Sequence, residues 1–368
     1  MIGAISARAR GLVRAASQAS ERRSRLPPRF PVTAAPRARP RVFYLAPDLA
    51  VPSGGTRVIY RHVDLLNAAG VEAAVVHQRR GFRCDWFPNS TPVVAAGQVT
   101  LAPADVIVVP EWYAAGLHRL PAGVRKVVFN QGPYHTFDGV DFAATGPGEP
   151  YTSVPNLVAL LTVSRDGATL LRYAFPTIPV AQARVVVNGR LFRPPDTPAG
   201  RRIAFMPRRR PQEREQLLHV LRARGALAGW ELIPIDGCTE EQTATLMRSC
   251  AIFLSFSERE GFGLPPAEAM ASGCYVVGFP GLGGRDFFDP AYCTPVPESD
   301  LLAYATAVED AIARYDADPG DLAAAGRAAS QRILGHYHEP GLREDLHAFY
   351  QPLLSGETTP LAPADARE

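Results

Sequence analysis

The chain has 368 residues, 46% of them apolar, and a formal net charge of +3. That length suggests two or three domains with room for sizeable cores. No stretch approaches the ~18 consecutive apolar residues of a membrane-spanning helix. The five cysteines, Cys84, Cys238, Cys250, Cys274 and Cys293, are scattered without a C-x-x-C pair. This spacing argues against a disulfide framework or a zinc site and fits a reducing, cytoplasmic setting.

The charge is unevenly spread. Residues 1–41 hold ten arginines and one acid, Glu21, for a local charge of +9, which leaves −6 on the remainder. A mildly acidic body disfavours nucleic acid as a partner. Lys126 is the single lysine among 39 Lys and Arg residues, so arginine does nearly all cationic work in this chain.

Residues 1–40, rich in Arg, Ala, Ser and Pro, read as a tail outside the core. Within it Ile2, Ile5, Ala9, Leu12, Val13 and Ala16 share one helical face, with Arg8, Arg10 and Arg14 off that face. A disordered tail is the favoured reading. A basic amphipathic anchor making peripheral contact with a membrane's inner face through residues 1–25 is the alternative. From Leu26 to Pro40 proline dominates, which marks linker.

An N-terminal domain is expected over residues 41–189. Its first strand, Arg41 to Ala46, leads into Val51-Pro-Ser-Gly-Gly-Thr56 and a helix from Arg57 to Ala69. Strand, glycine loop and helix start make a phosphate-approach geometry, because Gly54 and Gly55 let backbone come close. Further strands are expected at Glu72–His77, Asp105–Val109, Lys126–Asn130 and Leu157–Ser164, in a mostly parallel sheet. Asn130-Gln-Gly-Pro-Tyr-His135 follows one strand, where open α/β sheets hold ligands. This context makes His135 a candidate, although a lone histidine is often structural.

Residues 190–200 read as an interdomain linker and 201–338 as a second α/β domain. Its first strand, Arg202–Met206, runs into Pro207-Arg208-Arg209-Arg210-Pro211. Three adjacent arginines are a solvated charge run on most surfaces, yet guanidinium forks also suit phosphate oxygens. Further on, an apolar strand from Ala251 to Phe256 precedes Glu260-Gly-Phe-Gly-Leu-Pro-Pro-Ala-Glu268. Pro265 and Pro266 open a helix and Gly273 ends it. The amides of Phe262, Gly263 and Leu264 at that helix start should attract an anion. Glu260 and Glu268 frame them. Carboxylates repel phosphate, so beside an anion site they should accept hydrogen bonds from hydroxyls. A ligand with phosphate in the middle and hydroxyls at both ends is a nucleoside-diphosphate sugar.

Asp316-Ala-Asp318, beside Pro319-Gly320, reads as a turn between two helices, and no metal site is expected. A last amphipathic helix is expected over 339–355, with a frayed tail over 356–368.

The run from Glu260 to Gly273, with its E-x7-E spacing, closely resembles the signature of retaining glycosyltransferases of the GT-B fold, the family 4 or group 1 type. The resemblance spans about residues 41–354 and is strongest in the second domain. It implies two Rossmann-like domains with parallel sheets facing across a cleft, and a C-terminal helix crossing back to the first domain. It further implies that Glu268 holds the donor's ribose hydroxyls and that Glu260 faces the transferred sugar. Gly54 and Gly55 would face the diphosphate, which Arg208 grips together with Arg209 or Arg210 in the place of a family lysine. His135 would stand at the cleft on the acceptor side.

The expected function is therefore retaining transfer of a hexose or deoxyhexose from a nucleotide sugar to a glycan or lipid-linked acceptor. No metal or cofactor is expected to take part. A sugar-nucleotide epimerase or a non-catalytic nucleotide-sugar-binding protein are the alternatives. A glycoside hydrolase fits poorly, because its two carboxylates must flank one bond.

Overall fold

The computed structural model describes residues 25–355. The amphipathic stripe expected near the N-terminus and the tail from residue 356 lie outside the described residues. Two parallel sheets organise the rest, as GT-B architecture requires.

The first sheet has seven strands: β1 (Val42–Leu45), β2 (Ala73–His77), β3 (Val93–Ala95), β4 (Val106–Pro110), β5 (Arg125–Asn130), β6 (Leu157–Thr162) and β7 (Val180–Gln182). They lie in the order β3-β2-β1-β4-β5-β6-β7, with every pair parallel. β1, β2 and β4 are buried throughout, which is why they read as near-continuous apolar runs rather than alternating ones. The order reverses between β1 and β4. Such switch points open a crevice at the C-terminal strand ends, where ligands bind.

The second sheet holds β8 (Gly200–Phe205), β9 (Glu231–Pro234), β10 (Cys250–Phe256), β11 (Tyr275–Phe279) and β12 (Thr294–Pro295), in the order β12-β11-β10-β8-β9. Here the switch lies between β8 and β10. The loops after those two strands carry the three arginines and Glu260.

Helices cover both sheets: α1 (Gly54–Ala68), α2 (Arg165–Ala174), α3 (Pro211–Ala223), α4 (Glu240–Arg248), α5 (Leu264–Ala271), α6 (Leu301–Ala317), α7 (Pro319–His336) and α8 (Glu339–Ser355). Their starts follow local chemistry. Ser53 caps α1 through Thr56 N, and Thr239 with Gln242 forms a capping box on α4. Asp318 caps α7 by accepting from Gly320 N, so the Asp316-Ala-Asp318 stretch is a helix junction.

The last helix returns to the first domain. Tyr350 donates to the Tyr44 hydroxyl at 2.7 Å, and Tyr44 meets His62 Nδ1 at 3.1 Å. Arg184 forks onto Asp345 with two 2.8 Å bonds. One apolar cluster is continuous between the halves: Phe262 and Phe287 of the second domain pack with each other and with Tyr337, between α7 and α8.

The structure corrects the reading of residues 1–40 as wholly outside the core. Phe30 is buried in the first domain's apolar cluster. Thr33 N donates to Leu101 O, and Leu101 N to Pro31 O, both at 2.9 Å. The Cβ that Gly116 lacks would lie 2.5 Å from Pro27. Proline removes donors, but between prolines the chain still offers apolar rings and extended backbone. Three short strands, β3, β7 and β12, were also not expected. Two or three residues are too few to show a period.

Candidate active site

Glu260 and Glu268 stand on either side of the α5 N-terminus. Gly263 caps that helix at φ 94°, a conformation open to glycine. Among the described residues no backbone carbonyl accepts from the amides of Phe262 or Gly263. Two unpaired amides at a helix start are able to receive an anion. The Glu260 strand end is held on both sides: its N–H donates to Gly281 O at 2.8 Å, and its carbonyl accepts from Gly283 N at 3.0 Å.

The two carboxylates differ in setting. Glu268 is buried, and desolvation pushes its carboxyl up to about 7 although Arg57 beside it acts in the other direction. Glu260 is also raised, first by burial, against the pull of Arg209. Its side chain remains a quarter exposed.

The three arginines separate. Arg209 Nε lies 3.1 Å from Glu260 Oε1. Arg208 turns outward to Asp236 at 3.2 Å and is 63% exposed. Arg210, at φ 43°, is built into the second domain. It bonds Ser257 O and Glu213, pairs with Glu298, and lies over the Phe279 ring. Arg209 is thus the member positioned beside the E-x7-E loop. Arg210 is anchored elsewhere, and Arg208 would need to swing round to reach a diphosphate there.

Gly54 and Gly55 are the first residues of α1, not a loop before a helix at Arg57. Both face the other domain or its neighbours: a Cβ on Gly54 would lie 2.8 Å from Leu264 Cδ1, and one on Gly55 would lie 3.3 Å from the Gln131 amide. Across the same seam a Cβ on Gly261 would fall 1.8 Å from the Gln131 carbonyl oxygen. Only glycine allows this approach of two backbones, so the domains are in contact along Gln131 and Gly261.

His135 lies in the short turn Pro133–His135 after β5 and is 45% exposed. Its Nδ1 meets Asp138 Oδ2 at 2.6 Å. The imidazole is within electrostatic reach of both Glu260 and Glu111. Glu111, at the end of β4, accepts from Gln131 N at 3.0 Å and so fixes the turn's entry.

Several residues at this seam escaped the sequence reading. Arg57 NH2 is 3.2 Å from Glu268, and its NH1 is 2.9 Å from Glu240. Arg259 reaches back to Asp138 at 2.9 Å and to the Tyr134 carbonyl. Asp286 caps α2 of the other domain, accepting from Arg165 N at 2.6 Å and Asp166 N at 3.0 Å. In sequence each is an ordinary charged residue, and only the meeting of the domains gives it a partner. Arg259 and Leu282 also have left-handed backbones, φ 47° and 74°. Strain of this kind gathers where function over-determines geometry.

Two facing parallel-sheet domains are the GT-B arrangement that the resemblance implies. Residues 174–327 match the family described as "Glycosyl transferases group 1", which supports a glycosyltransferase of that group. It is 27% identical over 276 residues to an alpha-1,6-glucosyltransferase of Actinobacillus pleuropneumoniae serotype 7 (strain AP76), covering 71% of this chain and 80% of the relative. Among solved structures it superposes on a sucrose-phosphate synthase of Thermosynechococcus elongatus with TM-score 0.61 and 15% identity, over 87% of this chain and all of the other. A glycosyltransferase of Rickettsia africae gives TM-score 0.62 and 13% identity, over 88% and 100%. The Anabaena protein HepE, solved with UDP and glucose, gives 0.56 and 12%, over 84% and 99%.

Among the described residues no helix is long and apolar enough to cross a membrane.

Proposed function

We propose that the chain is a retaining hexosyltransferase that takes a nucleoside-diphosphate sugar as donor and the hydroxyl of a glycan or lipid-linked sugar as acceptor. The observation carrying this reading is the seat at α5: unpaired amides of Phe262 and Gly263 between the Glu260 and Glu268 carboxylates, with Arg209 alongside. The diphosphate would accept from those amides, Glu268 would hold the ribose hydroxyls, and Glu260 the sugar hydroxyls. Glucose is the first sugar to test, because the relative at 27% identity is a glucosyltransferase and HepE was solved with UDP and glucose.

Transfer breaks the bond from the anomeric carbon to the diphosphate oxygen and forms one to the acceptor oxygen. Charge grows on the leaving phosphate, and fixed donors aimed there lower the barrier most. Arg209 and the α5 amides would supply those donors, and a step so assisted would not call for a metal. The acceptor attacks on the face the phosphate leaves, its proton passing to the phosphate oxygen. His135 stands on the acceptor side.

Incubation with UDP-, GDP- and dTDP-sugars tests the reading. Donor binding raises thermal stability with the logarithm of concentration. Labelled sugar then appears in an acceptor with its anomeric configuration kept, and EDTA leaves the rate unchanged. Epimer formation would favour the epimerase, and binding without turnover a non-catalytic protein.

A further inference from the structure

Asp138 serves both domains at once. Its Oδ2 accepts from His135 Nδ1 at 2.6 Å, on its own domain. Its Oδ1 accepts from Arg259 NH2 at 2.9 Å, and Arg259 belongs to the loop that carries Glu260 on the other domain. The same guanidinium nitrogen bonds the carbonyl of Tyr134, the residue before His135. Arg259 holds a left-handed backbone to do so, at φ 47°, a conformation that disfavours a long side chain.

Stability does not account for this arrangement. All three side chains are 41–46% exposed, and exposed ion pairs contribute little to folding, about 0–1 kcal/mol. What the arrangement fixes is direction. With Asp138 accepting at Nδ1, the neutral imidazole carries its proton there and leaves Nε2 as a bare acceptor. The Arg259 contact exists only where the two domains meet.

We propose that Asp138 is a positioning residue that couples closing of the interdomain cleft to the tautomer and orientation of His135. Arg259 is its sensor on the donor domain. This rests on the reading of His135 as a cleft residue of the transferase. In the closed enzyme both Asp138 oxygens are committed, and Nε2 is presented to the bound sugars. In the open enzyme Oδ1 is released, and the turn around His135 loses its tie to the Glu260 loop.

Asp138→Asn separates the two bonds, because an amide offers one accepting oxygen instead of two. A hydrogen bond to a charged donor contributes more than one to a neutral donor. Arg259 therefore takes the amide oxygen and the amide NH2 turns to His135. The imidazole must then accept at Nδ1 and carry its proton on Nε2.

The expected result is a switch of the His135 tautomer in long-range proton–nitrogen NMR spectra of Asp138→Asn. The spectra are taken at about pH 9, above the ordinary imidazole range, and the signal is assigned by its loss in His135→Gln. Asp138→Asn combined with Arg259→Ala frees the amide oxygen and returns the proton to Nδ1. In turnover of UDP-glucose, Asp138→Asn lowers kcat roughly 10–100-fold, by analogy with the loss when the partner that orients a metal-ligating histidine is removed, with KM little changed. The double variant recovers part of that loss. Retention of the Nδ1–H form in Asp138→Asn, or an Nε2–H form in the double variant, overturns the proposal. If the wild-type chain turns over no donor, the transferase reading falls by itself, and the NMR comparison still decides whether Asp138 sets the tautomer.

Discussion

Arg57, in the first turn of α1, holds the Glu268 carboxylate at 3.2 Å across the seam between the domains. The carboxylate proposed to receive a ribose is thus occupied by a cation of its own chain, which Glu240 shares at 2.9 Å. A donor bound as proposed would exchange its hydroxyls for that guanidinium. Burial outweighs the Arg57 attraction and leaves the Glu268 carboxyl at about 7. Its charge is therefore incomplete at neutral pH.

Nucleoside-diphosphate affinity should consequently rise from pH 6 to pH 8 as Glu268 ionises and gains capacity to accept two hydroxyl hydrogen bonds. Glu268→Ala should weaken binding roughly tenfold or more, from the loss of a charged hydrogen bond of about 1.5–3 kcal/mol, and should flatten the pH dependence. Calorimetric titration with UDP measures both. Equal affinities for wild type and variant across that range would remove Glu268 from the ribose role.

The same shift predicts the pH dependence of stability. A carboxyl raised from 4.5 to about 7 binds more protons folded than unfolded between those values. Its penalty is absent below about pH 4.5 and complete above about pH 7. Glu268→Gln should therefore raise the melting temperature at pH 8 and leave it nearly unchanged at pH 4.5. The gain at pH 8 is on the order of 3 kcal/mol, from the shift at 1.36 kcal/mol per pH unit, which already includes the Arg57 attraction. Thermal melts at the two pH values decide it.

The arginines after β8 make a graded series. Arg209→Ala should lower turnover by about 10²–10³ with a smaller effect on donor affinity, as for other donors whose contact strengthens with developing charge. Arg208→Ala, at an exposed surface pair, should change turnover less. Arg210→Ala strips partners from Glu213 and Glu298 and uncovers Phe279. It should lower stability by about 2–3 kcal/mol. Steady-state kinetics and denaturant melts on the three variants separate the roles. Equal small losses in all three would return the run to a solvated surface.

How far the sequence discloses this site follows from how local each feature is. The α5 helix was legible, because Pro265, Pro266 and Gly273 write its ends into nine residues. The strands buried on both faces were legible as apolar runs. Choice among Arg208, Arg209 and Arg210 was not, because neighbouring side chains on a loop point apart by angles the sequence does not state. Arg57, Asp138 and Arg259 were invisible for a different reason. Their partners lie up to 211 residues away, and a salt bridge between domains leaves no pattern in either segment. Phe30 was missed because prolines on both sides of it outweighed one aromatic ring.

Closure of the seam rests on Gly261. A methyl there would lie 1.8 Å from the Gln131 carbonyl oxygen, so Gly261→Ala must hold the loops apart by an ångström or more. The proposed donor seat itself stays intact in the second domain. UDP binding should remain within a few-fold of wild type while kcat falls about 10²-fold, the scale of a 1 Å misplacement. Small-angle scattering should show a more open particle. Unchanged kcat in a folded Gly261→Ala protein would mean that this contact is not part of the reactive conformation.

Truncation tests where the body of the protein begins. Removing residues 1–24 should leave the fold and the proposed donor site unchanged, because it keeps Arg25, Pro27 and Phe30 with their contacts. Removing residues 1–40 also takes Phe30 out of its apolar cluster and deletes the two backbone bonds to Leu101. A buried phenylalanine contributes about 1.5–3 kcal/mol, and 1 kcal/mol shifts the melting temperature of a large domain by about 2–4 °C. The longer deletion should therefore melt several degrees lower, and Phe30→Ala in the full chain should reproduce most of that loss. The shorter deletion addresses membrane contact separately. It removes five of the ten N-terminal arginines, and basic residues near an anionic surface contribute about 1 kcal/mol each. If residues 1–25 anchor the enzyme, the full chain sediments with anionic vesicles at low salt, and both the deletion and high salt abolish this. Failure of the full chain to sediment at low salt would end the anchor reading, and equal melting of the two truncations would end the structural role of Phe30.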